Sequence, residues 1–352
     1  MTARAMLALA VAAMASLATP SAEAQQAGAR SNRFVVLGHV RGDPNGLNPK
    51  LGELLDRARA LNPDFAVLTG DIIWGDIQRP LTDPDTVERE WEQIDSAVAT
   101  LGVPVYRVPG NHDIADLPSR DVYLRRYGTL PKVVVEGSIR LILLNSAWMP
   151  EDGDDSSHAL RVRGVDLDST QRAWLEAELA TDRGVDQTFV FLHHLLWWEP
   201  DDGRWWKEVH PLLARAGVTA VFTGDYGPLK FSALERDGVR YYQSSIEGPV
   251  SLELLRNRLP SRLLSAQLDS FIEVRVDGGS AEIFLHPVAE LSSGEFTPER
   301  YRAINAPAPE PSRLERLWAA IGTPKRLGAL VVGVLGLLGV GYVAGRRHAA
   351  RR

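Results

Sequence analysis

Short apolar runs alternate with amphipathic stretches along most of this chain. Arg33-Phe34-Val35-Val36-Leu37 reads as a buried strand, and Leu51, Leu54, Leu55 and Ala58 then recur at helical spacing until Asn62-Pro63 ends the helix. Phe65-Ala66-Val67-Leu68-Thr69 is the next strand, and residues 84–100 carry Val87, Trp91, Ile94 and Val98 on one helical face. Val103-Pro104-Val105-Tyr106-Arg107 gives a third strand. The order strand, helix, strand, helix, strand is that of an α/β sheet with crossover helices. Ile139 to Leu144, Phe189 to Leu192 and Val218 to Phe222 continue the series, with a helix opened by Asp168 that carries Gln171, Trp174, Leu175 and Leu179. Tyr241-Tyr242, Phe271 to Val276 and Ala281 to Leu285 read as strands joined by turns at Asp237-Gly238 and Asp277-Gly278-Gly279.

Both ends of the chain break this pattern. Arg4, an apolar run from Ala5 to Ala18, and Ala22-Glu23-Ala24 before Gln25 have the layout of a secretory signal, which predicts a signal peptide over residues 1–24. A folded body is expected over 33–290, and a proline-containing linker and juxtamembrane segment over 291–325, where Leu314, Leu317 and Ile321 form a short amphipathic face. Residues 327–344 are uncharged and mostly apolar, about 27 Å of helix at ~1.5 Å per residue, which predicts a membrane-spanning helix. The basic tail 345–352 carries Arg346, Arg347, Arg351 and Arg352, and its charge orients it to the cytoplasm with the body exported. Removal of the whole tail as a sorting signal after export is the competing reading. Gly341 and Gly345 have the spacing that lets two such helices pack, so a homodimer through the membrane is a further expectation.

Charge and cysteine content narrow the function classes. The 352 residues include 39 basic and 45 acidic side chains, a formal net charge of −6. The segment from Arg313 onward is strongly basic, so the body is more acidic than the total suggests, and no nucleic-acid partner is expected for it. Cysteine is absent, which excludes disulfides, thiolate metal ligands and a cysteine nucleophile.

The candidate chemistry lies where the strands stop. Five apolar runs end in His39, in Gly70-Asp71, in Gly110-Asn111-His112-Asp113, in His193-His194 and in Gly224-Asp225. In an open α/β sheet the carboxyl ends of parallel strands share one edge, so residues far apart in sequence would meet there. Taken alone, the Asn111-His112-Asp113 stretch has a plain alternative as a polar turn in which Asn111 and Asp113 cap a helix. Taken together, oxygen and imidazole ligands without thiolate suit manganese, iron or zinc. A divalent ion that polarises a phosphoryl oxygen is what phosphoester hydrolysis requires. The acidic loop Glu151 to Asp155 reads as solvated rather than calcium-binding. Trp197-Trp198 and Trp205-Trp206 either pack the next helix onto the sheet or overhang the site to stack on a sugar, base or lipid-linked headgroup. His194 reads as a support for its neighbours, whereas His158, His210 and His286 belong to no such group.

From about Arg33 to Pro287 the chain resembles the calcineurin-like metallophosphoesterases. The resemblance rests on Gly70-Asp71, Gly110-Asn111-His112-Asp113, the strand ending in His193-His194 and the helix from Gln171 to Leu175. It implies a four-layer αββα sandwich with its site on one edge of the sheets, and hydrolysis of a phosphoester substrate by metal-activated water. It also implies that Asp71 bridges two metals, that Asn111 and His193 bind the second metal, and that His112, supported by Asp113, acts on the leaving group.

Two motifs depart from that pattern. Where the family has Asp-x-His, this chain has His39-Val40-Arg41; where the family has Gly-His-x-His, it has Gly224-Asp225-Tyr226-Gly227. Asp71, Asn111, His193 and Asp225 then complete the second position, and only His39 and Asp71 remain for the first. One ion with the Arg41 guanidinium in place of the other is therefore expected, Arg41 holding phosphate oxygens by paired hydrogen bonds. An altered metal pair that recruits Asp43 or Asp76 is a second reading. A decayed site on a membrane-tethered binding or scaffold module is a third.

Overall fold

The computed structural model describes residues 32–75, 82–147, 166–225, 229–247 and 263–288. The expected signal peptide, linker, spanning helix and basic tail, the acidic loop, Asp76 and His158 lie outside them. No helix among the described residues is long and apolar enough to cross a membrane.

The predicted alternation is realised as β1 (Asn32–Leu37), α1 (Leu51–Ala60), β2 (Phe65–Thr69), α2 (Pro84–Val98) and β3 (Val105–Val108). β1 and β2 pair in parallel with Phe34 beside Phe65, and β2 pairs with β3 with Ala66 beside Val105. The apolar positions read at helical spacing in α1 and α2 are all buried. At about 1.5–3 kcal/mol for each large apolar side chain removed from water, these stripes hold the helices to the sheet more firmly than propensity does.

The chain continues through α3 (Leu117–Tyr127), β4 (Lys132–Glu136), β5 (Ile139–Leu143), α4 (Ser169–Leu179), β6 (Gln187–Phe191), α5 (His210–Arg215) and β7 (Ala220–Thr223). It closes with β8 (Phe231–Arg236), β9 (Val239–Ser244), β10 (Leu264–Ala266), β11 (Ser270–Asp277) and β12 (Ser280–Pro287). The strands form a five-stranded sheet in the order β12-β11-β1-β2-β3 and a seven-stranded sheet in the order β10-β8-β9-β7-β6-β5-β4. β5, β6, β7 and β9 run parallel, so their carboxyl ends share an edge.

Three apolar clusters define the layers. Phe34, Val36, Phe65, Val67 and Ile272 of the first sheet meet Leu141, Phe189, Phe191 and Phe222 of the second. Phe34 stacks on Phe65 at 4.8 Å and meets Phe189 edge-on at 5.2 Å, which ties the two sheets together through aromatic contact. The opposite face of the first sheet packs against α1, α2 and α3, and that of the second against α4 and α5. Two sheets between outer helices are the layers the resemblance implied.

Of the four tryptophans after β6, Trp197, Trp205 and Trp206 are buried in the outer core of the second sheet. Trp198 is half-buried and donates its indole N–H to Ser232 Oγ at 3.2 Å. Their role is packing, and the alternative of an aromatic platform over the site is set aside for the three buried rings. Asp168 caps α4 as expected, accepting from the Gln171 amide at 2.7 Å. His210 is tied between Tyr241 Oη at 2.7 Å and Asp237 Oδ2 at 2.9 Å, and His286 meets Glu273 at 2.7 Å.

Candidate metal centre

The ends of β1, β2, β3, β6 and β7 converge. His39 Nε2 lies 3.7 Å from Asp71 Oδ2, and His193 Nε2 lies 3.4 Å from Asp71 Oδ1 and 3.9 Å from Asp225 Oδ1. One ligand atom from each of His39, His193 and Asp225 falls within 4.8 Å of the other two. His39 therefore lies close to residues expected at the second metal position, while its Nε2 faces Asp71 Oδ2 and His193 Nε2 faces Asp71 Oδ1. Asp71 touches both histidines from the floor of the same group.

Local backbone shape makes this convergence possible. Gly70 and Asp71 adopt φ of +89° and 48°, an abrupt left-handed turn that costs an aspartate about 1–3 kcal/mol. A Cβ on Gly70 would lie 2.4 Å from His193 Nδ1, so only glycine lets β2 pass beneath that ring. The turn also brings the Asp71 carbonyl to the Arg41 amide at 3.0 Å, and Asp71 Oδ1 to the His112 amide at 3.0 Å.

The histidines are set for different tasks by their second nitrogens. His193 Nδ1 lies 2.9 Å from the Thr69 carbonyl, to which it donates, so Nε2 is the nitrogen turned to Asp71 and Asp225. That Nε2 is buried and has no hydrogen-bond partner at ordinary distance among the described residues, so on losing its proton it could ligate a cation. Burial disfavours charge on this ring, but Asp71 and then Asp225 outweigh it and lift its pKa to about 9; a divalent ion would compete with that proton. Burial holds His39 well below the ordinary imidazole value, against the pull of Asp71, which leaves it neutral and able to ligate. The residues present thus fit a divalent cation held by nitrogen and oxygen.

His112 faces the other way. Its Nδ1 meets the Trp74 carbonyl at 2.6 Å, and its ring contacts Arg41 Nη1 through both nitrogens, at 2.9 Å from Nδ1. Burial and the Arg41 guanidinium hold the ring below the usual imidazole value, while Asp71 works in the opposite direction. Arg41 is itself buried, lies 4.8 Å from the Trp74 ring centre and donates from Nη2 to Glu247 Oε1 at 3.0 Å. Asn48 braces this arrangement, donating to the Arg41 carbonyl at 3.0 Å and to Glu247 Oε2 at 3.4 Å.

Asp113 does not orient the His112 ring. Its Oδ1 accepts from the Ile72 and Ile73 amides at 2.9 and 3.1 Å, and its Oδ2 from the Gly110 amide at 2.8 Å. It stitches the β2 and β3 ends together, and the orienting role expected of it falls to the Trp74 carbonyl. Burial and the nearby Asp71 push its carboxyl up to about 7 despite these three donors.

Asn111 Oδ1 lies 3.1 Å from His194 Nε2. Ser146 Oγ in turn accepts from the His193 and His194 amides at 3.2 and 3.0 Å and meets His194 Nδ1 at 3.0 Å. Burial holds His194 neutral, with its pKa lowered to about 3, so its Nε2–H is the donor that positions Asn111. Asp43 sits in a surface turn, where Oδ1 accepts from the Asn45 amide at 2.7 Å.

Glu247, Asn48, Trp74 and Ser146 were not read from the sequence. Following the Tyr241-Tyr242 strand to Ser244 would have placed Glu247 just past a strand end on the edge already occupied by Asp225.

A family model described as calcineurin-like phosphoesterase matches residues 39–226. Similar solved structures include a purple acid phosphatase from yellow lupin (Lupinus luteus) seeds, at 10% identity and a TM-score of 0.49, covering 74% of this chain and 52% of that one. A dimetal phosphatase from Danio rerio matches at 16% identity and a TM-score of 0.46, covering 74% and 99%. GAP50, the anchor in the inner membrane complex of Plasmodium, matches at 13% identity and a TM-score of 0.50, covering 74% and 85%. The chain spans about half the length of the lupin phosphatase. No curated protein matches it. At these identities the structural likeness concerns the fold alone.

Proposed function

Because the chain belongs to the calcineurin-like phosphoesterase family, we propose that it is a metal-dependent phosphoester hydrolase working with one divalent ion, manganese, iron or zinc. The observation that carries this reading is the convergence of His39, Asp71, His193 and Asp225 beside an arginine–histidine pair at one sheet edge. His39, Asp71, His193 and Asp225 would hold the ion, with Asn111 next to them on His194. Such an ion supplies positive charge to a phosphoryl oxygen and makes bound water more acidic.

The protein's own groups supply the rest. Arg41, pressed between Trp74 and Glu247, presents fixed positive charge to the equatorial phosphate oxygens without reorganisation. His112 begins neutral, with Nδ1 fixed by the Trp74 carbonyl. An anionic ester drawn onto Arg41 raises the ring's affinity for a proton, which Nε2 takes from solvent and then passes to the leaving oxygen. Asp113 keeps the β2 and β3 turns in register so that the ion ligands and His112 hold their spacing.

The location proposed for this activity is the exported side of a membrane, with the body anchored by residues 327–344. It is supported by the signal-like start, the apolar run and the basic tail. The departures at His39-Val40-Arg41 and Gly224-Asp225-Tyr226-Gly227 favour a second reading, a site that retains binding without turnover.

Hydrolysis of a chromogenic phosphodiester and phosphomonoester separates the two. The full chain is stripped of metal and given manganese, iron or zinc in turn, beside Asn111→Ala, His193→Ala and Arg41→Ala. Metal-dependent turnover that falls at least about a hundredfold in each variant is expected. No turnover with any ion would overturn the enzyme reading.

A further inference from the structure

The surroundings of Arg41 bear on which phosphoester the site takes. Resting on the phosphoesterase reading above, we propose that the site prefers singly charged phosphodiesters to doubly charged phosphomonoesters, and that Glu247 sets this preference.

Charge balance gives the first support. Asp71, Asp225 and Glu247 bring three negative charges to the site, and Arg41 brings one positive charge. A single divalent ion would offset two of these charges, and the Arg41 guanidinium is already paired with Glu247 at 3.0 Å. A phosphodiester adds one negative charge, whereas a monoester near pH 8 adds about two. The second charge of the monoester faces the Glu247 carboxylate, which already takes the Arg41 Nη2 donor.

Hydrogen bonding around the guanidinium gives the second. Arg41 Nη1 is directed to His112 and Nη2 to Glu247 Oε1, while Arg41 Nε is buried and has no hydrogen-bond partner among the described residues. A phosphate oxygen drawn to this guanidinium is therefore held beside the Glu247 carboxylate. A like charge a few ångströms away at the partly exposed Glu247 penalises the dianion by about tenfold or more.

The test compares full-length wild type with Glu247→Gln, Glu247→Ala and Glu247→Asp in the presence of manganese at pH 8. Turnover of bis(4-nitrophenyl) phosphate and 4-nitrophenyl phosphate is measured together with calorimetric binding of two non-hydrolysable probes, phenylphosphonate and its monomethyl ester. Wild type should favour the diester in kcat/KM and bind the monoester of the phosphonate more tightly. Glu247→Gln and Glu247→Ala should move both ratios toward the dianion by about tenfold, and Glu247→Asp should keep the wild-type order. Thermal melting identifies any variant that fails to fold, and the remaining variants then decide the outcome. Turnover that favours the monoester, or ratios unmoved by loss of the carboxylate, would overturn the proposal and leave the phosphoesterase reading standing. Absence of both metal binding and turnover in wild type would overturn that reading, and the proposal with it.

Discussion

Alanine at position 110 would place its Cβ 2.2 Å from Asp71 Oδ1, 2.4 Å from the Asp71 backbone nitrogen and 2.8 Å from His193 Nε2. Side-chain rotation relieves the first and last contacts only by moving two candidate metal ligands. The middle contact is to backbone, so the β2 and β3 ends must also separate. Overpacking of this kind costs about 1–3 kcal/mol. At about 2–4 °C per kcal/mol for a body of this size, the metal-free melting point should fall by about 2–12 °C. The diagnostic quantity is the response to metal. An ion at a hundred times its dissociation constant stabilises the wild type by about 2.7 kcal/mol, or roughly 5–11 °C. Gly110→Ala should lose nearly all of that increment, because the displaced groups are the ligands themselves. Differential scanning fluorimetry of the full chain across a manganese titration reads both numbers. Gly52→Ala on α1 is the control, since a Cβ there meets nothing within 4 Å. A Gly110→Ala protein with the wild-type metal increment would refute this placement of Asp71 and His193.

Two further perturbations follow from buried polar contacts. Ser146→Ala removes the acceptor for the His193 and His194 amides and the partner of His194 Nδ1; the loss should be about 1–3 kcal/mol in urea unfolding, with metal affinity down about 10–100-fold by calorimetry. At Glu273, burial opposes the charge, but Arg275 and then His286 hold the carboxyl below the ordinary glutamate value. A depressed folded pKa gives stability that is present above the unfolded value of about 4.3 and is lost as pH falls through the lower folded value. Glu273→Gln should therefore lower the melting temperature near pH 7 and flatten its decline below about pH 5.

Much of this architecture is legible in the sequence because burial leaves a periodic trace. Leu51, Leu54, Leu55 and Ala58 mark α1, and Val87, Trp91, Ile94 and Val98 mark α2, since each stripe must face a sheet. α3 leaves a weaker trace, with only Ser119, Val122 and Tyr123 buried, and it begins from an Asp116–Ser119 capping box rather than an apolar stripe. β4 is mostly half-exposed at the edge of its sheet and escaped notice for a similar reason. The polar residues at the strand ends could be read together because parallel strands bring their carboxyl ends to one edge. Their division could not. His39 joins His193 and Asp225 through the crossing of two sheets, and Asp113 turns to backbone amides that carry no sequence signal. Glu247 lies 206 residues from Arg41, and the Trp74 carbonyl that fixes His112 is invisible to any reading of side chains.

Metal content measured by mass spectrometry on the purified full chain, beside His193→Ala, tests the central claim most directly. The account predicts one manganese, iron or zinc ion per wild-type chain and almost none in the variant. Two tightly held ions would contradict the place given to Arg41, and no ion in the wild type would contradict the metal centre itself.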